Sequence, residues 1–168
     1  GWKYGTNLDY MKEISSYWVN NFNWRKHELE INKFSNFKTK VDDLDIHFIK
    51  EKGSGSNPTP LLIMHGWPGS VIEFIHIIEK LAHPEKFGGK EEDAFDVIVP
   101  SLPGFGFSSK PKIPIGPRKM AVIFNKLMTE NLGYKNYIAQ GGDWGATISN
   151  WLGHDHSKTC KGIHINCL

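Results

Sequence analysis

The sequence predicts an α/β fold in which helices cover both faces of a mostly parallel sheet. From Leu61 onward, short apolar segments alternate with stretches whose apolar residues recur at three- and four-residue steps. The first kind of segment is typical of buried strands and the second of amphipathic helices. Their alternation indicates successive strand–helix–strand units. A chain of 168 residues can bury one core, so we expect one domain or a large part of a bigger one.

The residues before this region predict a helical arm followed by a β-hairpin. A stripe of apolar residues predicts a helix over residues 8–22, and it consists of Leu8, Met11, Ile14, Trp18 and Phe22. Side chains alternate over residues 37–41 and again over 44–48, on either side of Asp42-Asp43, which predicts a hairpin. We assign residues 1–36 to the arm and residues 37–168 to the first part of the core. A Gly/Ser/Asn/Pro stretch over residues 53–60 predicts a surface loop.

Within the core, the sequence predicts four strands and two helices. The predicted strands are residues 61–64, 95–99, 137–139 and 162–165. The apolar stripe of one helix is Val71, Phe74, Ile75 and Ile78, and that of the next is Ala121, Phe124, Leu127 and Met128. Gly133 is a plausible C-cap for the second helix. The charged residues 85–93 predict a solvated loop.

Residues 141–145, with the sequence GGDWG, have the pattern of a strand-to-helix turn that presents a nucleophile. Such a turn strains the nucleophile's backbone and needs small residues two positions to either side. Gly141 and Gly145 occupy those positions, Gly142 precedes the nucleophile, and Asp143 stands where a serine is usual. A helix N-cap is the structural alternative for Asp143. The flanking glycines favour the nucleophile.

Residues 65–70, with the sequence HGWPGS, follow a predicted strand and precede a predicted helix. The carboxyl ends of parallel strands meet at one edge of a sheet, which brings this loop to the turn at Asp143. We therefore expect the backbone N–H groups of Trp67 and Trp144 to form an oxyanion hole. His65 and Gly66 are predicted to support the loop, and Pro68 to fix its turn.

With these motifs identified, the chain resembles the epoxide hydrolases of the microsomal and juvenile-hormone type, within the α/β-hydrolase superfamily. The likeness covers nearly the whole chain. It rests on both motifs and on Tyr17-Trp18, Phe22-Asn23-Trp24-Arg25, Glu28, Phe37-Lys38-Thr39, Ile46-His47-Phe48-Ile49 and residues 101–108. One departure is Asp43, where family members tend to have glycine.

The resemblance implies an α/β-hydrolase fold and hydrolysis of a small-molecule epoxide to a vicinal diol, without a cofactor, through an alkyl ester on Asp143. A serine would form an ether, whereas an enzyme ester can be hydrolysed in a second step. The resemblance also implies lid tyrosines, a base histidine and an acid, of which the acid and histidine follow the nucleophile in the chain. Only residues 144–168 follow Asp143. We therefore expect an incomplete, truncated core that does not complete turnover by itself.

Two alternatives remain open, namely a haloalkane dehalogenase, which uses the same ester chemistry, and a truncated, non-catalytic binding module. A net charge of +2 with both signs interspersed argues against nucleic-acid binding. No apolar run reaches the roughly 20 residues of a membrane span, so we expect no membrane association. No residue grouping has metal-ligand spacing. Cys160 and Cys167 would lie roughly 23 Å apart in extended chain, so we expect free thiols and a cytoplasmic protein.

Overall fold

The computed structural model describes residues 1–166, which divide into two compact units with the boundary between Lys33 and Phe34. The first unit contains helices α1 (Leu8–Asn20) and α2 (Trp24–Ile31). The Asn7 side chain caps α1 by accepting from the N–H of Asp9, and Asn23 caps α2. Helix α1 ends at Asn20, two residues before the end of the helix predicted over residues 8–22. Helix α2 was not predicted, because its charged residues hide the apolar period, although Asn23 is a usable start signal.

The second unit is built on a sheet of six strands within the described residues. They are β1 (Asn36–Val41), β2 (Leu44–Glu51), β3 (Thr59–Met64), β4 (Phe95–Pro100), β5 (Tyr137–Gly141) and β6 (Cys160–Ile165). Their order across the sheet is β1-β2-β4-β3-β5-β6. β1 and β2 run antiparallel to their neighbours, while β4, β3, β5 and β6 are parallel. The predicted mostly parallel sheet is confirmed, with strand ends that extend one or two residues beyond the prediction.

The β1–β2 hairpin closes with the two-residue turn Asp42-Asp43, which pairs Val41 with Leu44. Asp42 has a φ of 51°, a region that aspartate enters more readily than most residues. Its carboxylate accepts a hydrogen bond from Lys126 Nζ at 2.5 Å and lies 3.7 Å from Lys119 Nζ. These contacts lower the pKa of Asp42. The hairpin thus forms with aspartate at both turn positions, including Asp43, where the family tends to have glycine.

The helices of this unit are α3 (Ile78–Ala82), α4 (Pro117–Lys126) and α5 (Trp144–Asp155). The single helix predicted from the stripe Val71 to Ile78 is wrong, because a 3-10 turn (Val71–Phe74) precedes α3. That stretch is rich in β-branched isoleucine and valine, which lose side-chain freedom in a helix. A π-helical turn (Leu127–Asn131) extends α4, and Gly133, with a φ of +76°, follows just after its end. The predicted loop 85–93 contains parts of two 3-10 turns, Pro84–Phe87 and Glu91–Asp93.

The core has one apolar layer on each face of the sheet. Leu62 and Met64 of β3 point into the layer that includes α4 and α5, with Phe124, Leu127, Ile148 and Leu152. Leu61 and Ile63 point into the layer that includes α3, with Val71, Ile78, Val97 and Val99. This confirms the predicted burial of the sheet on both faces. Cys160 is a buried free cysteine, and Cys167 lies outside the described residues. Over residues 1–166, no helix has the length and apolarity required to cross a bilayer.

Candidate active site

Asp143 lies in the sharp turn between β5 and α5, with φ 51° and ψ −122°. A positive φ is strained for a residue with a side chain and persists only where the surroundings enforce it. The glycines enforce it by allowing close backbone approach. A Cβ on Gly141 would lie 2.2 Å from the backbone carbon of Gly145, and one on Gly145 would lie 2.2 Å from the carbonyl oxygen of Met64. The turn therefore requires glycine at both positions.

The loop after β3 supplies a hydrogen-bond donor to this aspartate. The backbone N–H of Trp67 donates to Oδ1 of Asp143 at 2.7 Å, the short distance typical of a bond to an ionised acceptor. A Cβ on Gly66 would lie 2.5 Å from both Cβ and Oδ1 of Asp143. The Trp67–Pro68 peptide bond is cis. Two motifs that lie 76 positions apart in sequence are thus joined at a single carboxylate.

The surroundings of Asp143 favour the ionised form of its carboxylate. The N–H of Trp67 and, next in effect, the N–H of Trp144 lower the pKa of Asp143 below its ordinary value. The positive end of α5, which begins at Trp144, acts in the same direction. Asp143 occupies the N-cap position of α5, yet within residues 1–166 its side chain makes no capping hydrogen bond. Its Oδ1 instead accepts a hydrogen bond from the N–H of Trp67 in the facing loop.

His65 is fully buried behind that loop. Its Nε2 accepts a hydrogen bond from the N–H of Leu102 at 3.1 Å, and its Nδ1 lies 2.9 Å from the carbonyl oxygen of Gly66. Because a carbonyl only accepts, Nδ1 carries the ring proton. Burial lowers the pKa of His65, partly opposed by the Gly66 hydrogen bond and by the charge of Glu73. The ring is therefore neutral at pH 7. Its two nitrogens connect the loop that contains Gly66 to the loop that contains Leu102.

A cavity of about 410 Å³ opens beside Asp143. Its lining includes residues of both motifs and three polar side chains that were not predicted from the sequence, Glu73, Gln140 and Asn166. Gln140 donates to Oδ1 of Asn166 at 3.0 Å, and the side chain of Glu73 accepts from the N–H of Ser70 at 3.1 Å. The spacing of Ser70 and Glu73 is that of a capping box, so Glu73 could have been found from sequence. Gln140 and Asn166 had no such signal.

The later histidines are not brought to Asp143 by α5. His154 lies in the last turn of that helix and its Nδ1 is 2.8 Å from Oδ1 of Asp155. At roughly 1.5 Å of rise per residue, eleven residues place it about 16 Å along the helix from Asp143. His164, on β6, is exposed. Within residues 1–166, the hydrogen bonds to the Asp143 carboxylate come from backbone N–H groups.

Known proteins share this arrangement of sequence and fold. Residues 1–74 match the family described as epoxide hydrolase N terminus, and residues 59–168 match the family described as alpha/beta hydrolase fold. Epoxide hydrolase 1 of Sus scrofa is 45% identical over 97% of this chain and 37% of its own length. Juvenile hormone epoxide hydrolase 1 of Ctenocephalides felis is 39% identical over 98% of this chain and 35% of its own length.

The crystal structure of juvenile hormone epoxide hydrolase from Bombyx mori superposes with a TM-score of 0.87 at 34% identity, covering 99% of this chain and 44% of that one. The chain thus spans less than two fifths of the length of the curated relatives named above. The resemblance to the microsomal and juvenile-hormone type is confirmed. The chain belongs to the α/β-hydrolase fold family, and its first 74 residues match the separate family described as epoxide hydrolase N terminus.

Proposed function

We propose that Asp143 is the nucleophile of an epoxide hydrolase and that it opens a small-molecule epoxide by forming an alkyl ester. The observation that carries this proposal is an exposed carboxylate on a strained turn, held by a hydrogen bond from the N–H of Trp67 at 2.7 Å. Oδ1 is occupied by that donor, so Oδ2 is the oxygen that attacks the epoxide carbon. The ring C–O bond breaks, and the epoxide oxygen leaves as an alkoxide that takes a proton from water to become a hydroxyl.

The same N–H groups suit the second half of the reaction. Once the ester has formed, Oδ1 is its carbonyl oxygen and already faces the N–H of Trp67. Attack of water at that carbon would turn Oδ1 into an oxyanion, and the N–H groups of Trp67 and Trp144 would stabilise it. Loss of one such donor typically slows the affected step by roughly 100- to 1000-fold. In this proposal, the Trp67 N–H that would stabilise the oxyanion already faces Oδ1 before any substrate binds.

The remaining motif residues have supporting roles in this proposal. Gly141, Gly142 and Gly145 allow the turn that exposes Asp143, while Gly66 and Pro68 shape the loop that presents the Trp67 N–H. No cofactor takes part in ester formation. The relatives named above as epoxide hydrolases support the same chemistry, and we propose hydrolysis of the epoxide to a vicinal diol as the activity of the whole protein.

Ester formation is tested by weighing the intact chain after incubation with a small terminal epoxide, 1,2-epoxyhexane, and rapid acid quench. We expect a mass increase of one epoxide in the native chain and none in Asp143→Asn, which removes the nucleophilic oxygen. Asp155→Asn is the matched control, because it changes a carboxylate on the same helix far from the site. An unmodified native chain would favour a binding module. Halide release from a haloalkane without reaction of the epoxide would favour a dehalogenase.

A further inference from the structure

The peptide unit between Gly66 and Trp67 is hydrogen-bonded at both ends. Its N–H donates to Oδ1 of Asp143 at 2.7 Å. Its carbonyl oxygen accepts from Nδ1 of His65 at 2.9 Å and from the N–H of Gly69 at 3.0 Å. Because donors at a carbonyl draw electron density along the amide, they make the N–H of the same unit a stronger donor. The donors to the Gly66 carbonyl therefore strengthen the hydrogen bond from the Trp67 N–H to Asp143.

His65 can serve in this way because its two ring nitrogens have fixed and opposite roles. Nε2 accepts from the N–H of Leu102 at 3.1 Å, which leaves the proton on Nδ1, facing the Gly66 carbonyl. The loop that carries Leu102 is itself anchored, since the N–H of Ser101 donates to the carbonyl oxygen of His47 at 2.9 Å. The ring of Phe105 packs edge-on against the imidazole, with centroids 5.5 Å apart. The ring is thus held in one orientation and in one tautomer.

We propose that His65 is a positioning residue whose Nδ1–H group orients and polarises the Gly66–Trp67 peptide, so that the Trp67 N–H is aimed at Asp143 and strengthened as a donor. The inference deepens the proposed function, on which its relevance to catalysis rests. His65 does not itself line the cavity, and within residues 1–166 its ring makes no hydrogen bond to Asp143, so it acts on the carboxylate through the Gly66–Trp67 peptide.

A purely structural role for His65 makes a different prediction. If the imidazole only fills space and ties the loops together, polar replacements should lower stability without changing the acidity of Asp143. If it acts through the peptide, the effect should depend on which ring nitrogen is replaced. The amide of asparagine reaches about as far as Nδ1, and that of glutamine about as far as Nε2. His65→Asn therefore keeps a donor for Gly66, while His65→Gln keeps a partner for Leu102.

The test compares the native chain with His65→Asn and His65→Gln, using the pKa of Asp143 from side-chain carboxyl ¹³C shifts and the rate of adduct formation with 1,2-epoxyhexane. We expect His65→Gln to raise the pKa of Asp143 by about 0.5 to 1 unit and to slow adduct formation by about 30-fold. His65→Asn should keep the pKa closer to the native value and lose about threefold in rate. Equal effects of the two variants on both quantities would overturn the proposal.

The pKa readout keeps this inference separate from the proposed function. A native chain that forms no adduct would contradict the nucleophile, yet the shift of the Asp143 pKa in the two variants could still be measured. If both variants fail to fold, ¹⁵N shifts of the His65 ring in the native chain decide the matter. A proton on Nδ1 is the expected result. A proton resident on Nε2 would overturn the inference, because Gly66 would then have no donor from the ring.

Discussion

Gly145→Ala should separate the geometry of the nucleophile turn from the presence of the nucleophile. Gly145 is buried where α5 begins, against the end of β3. A Cβ at this position would lie 2.2 Å from the carbonyl oxygen of Met64, 2.9 Å from its carbonyl carbon and 3.2 Å from the carbonyl oxygen of His65. All three are backbone atoms, so no side-chain rotation can relieve the overlap. The first turn of α5 must move away from β3.

The size of that movement follows from the overlap. Ordinary contact begins at 3.4 Å, so the Cβ falls about 1.2 Å short, and a displacement on the order of 1 Å must be shared between α5 and β3. Asp143 lies two residues away and would be carried with the helix, which lengthens its 2.7 Å hydrogen bond from Trp67. A misplacement of about 1 Å at a reacting group can cost about 100-fold in rate. Overpacking of this kind typically costs about 1–3 kcal/mol of stability.

The assay is the initial rate of adduct formation with 1,2-epoxyhexane, measured by intact mass, together with a thermal unfolding curve. We expect Gly145→Ala to react about 100-fold more slowly than the native chain and to unfold about 2–12 °C lower. Gly153→Ala is the matched control on the same helix, because its Cβ would meet the Ile163 side chain at 3.3 Å, which can yield. The control should react at the native rate.

Adduct formation by Gly145→Ala within threefold of the native rate, together with an unchanged Trp67 N–H in its amide spectrum, would contradict this prediction. The geometry of the turn would then not limit the reaction. Equal slowing by Gly153→Ala would also refute it, since the loss would come from α5 in general and not from contact with β3.

Three other outcomes follow from the same structure. The N–H groups of Trp67 and Trp144 lower the pKa of Asp143, so its ionised form stabilises the folded state above the unfolded pKa of about 3.9. This stabilisation is lost as the pH falls through the folded pKa. A midpoint above pH 4 in a ¹³C titration of the Asp143 carboxylate would contradict this expectation. Leu152→Ala, at a fully buried position of α5, should lower the free energy of unfolding in urea by about 2–5 kcal/mol, and a loss under 1 kcal/mol would show that the site can collapse. Tyr137→Phe removes the hydroxyl that donates to Asn125 at 3.0 Å and should lower the free energy of unfolding in urea by about 1 kcal/mol. The rate of adduct formation should not change, and a slower reaction would link that hydroxyl to the site.

The sequence was sufficient to predict the sheet and the approach of the two motifs, because both depend on strong local signals. Apolar segments between glycine-rich turns mark β3 and β5, and parallel strands necessarily bring their carboxyl ends to one edge. The 2.7 Å bond between Trp67 and Asp143 is a result of that topology. The break between the 3-10 turn and α3 was not predictable from the apolar stripe, because the period of three or four residues continues through it.

The polar groups around Asp143 were harder to find from sequence. Leu102 contributes a backbone N–H to His65 over 37 positions, and a backbone group leaves no trace in residue type. Gln140 and Asn166 meet because β5 pairs with β6 and Asn166 directly follows β6, a pairing that the sequence does not specify residue by residue. The tautomer of His65 likewise depends on these distant contacts. The residues of the two motifs could therefore be identified from the sequence. The hydrogen bonds that orient them could be found only from the structure.

The most direct test of the account is to locate the epoxide label within the chain. After reaction with 1,2-epoxyhexane, acid quench and trypsin digestion, peptide 136–158 carries both Asp143 and Asp155. Fragmentation of that peptide distinguishes the two carboxylates. We expect the added mass on Asp143, bound as an ester that mild base removes. A label on Asp155, on His154 or on another peptide, at a rate unchanged in Asp143→Asn, would contradict the assignment of Asp143 as the nucleophile.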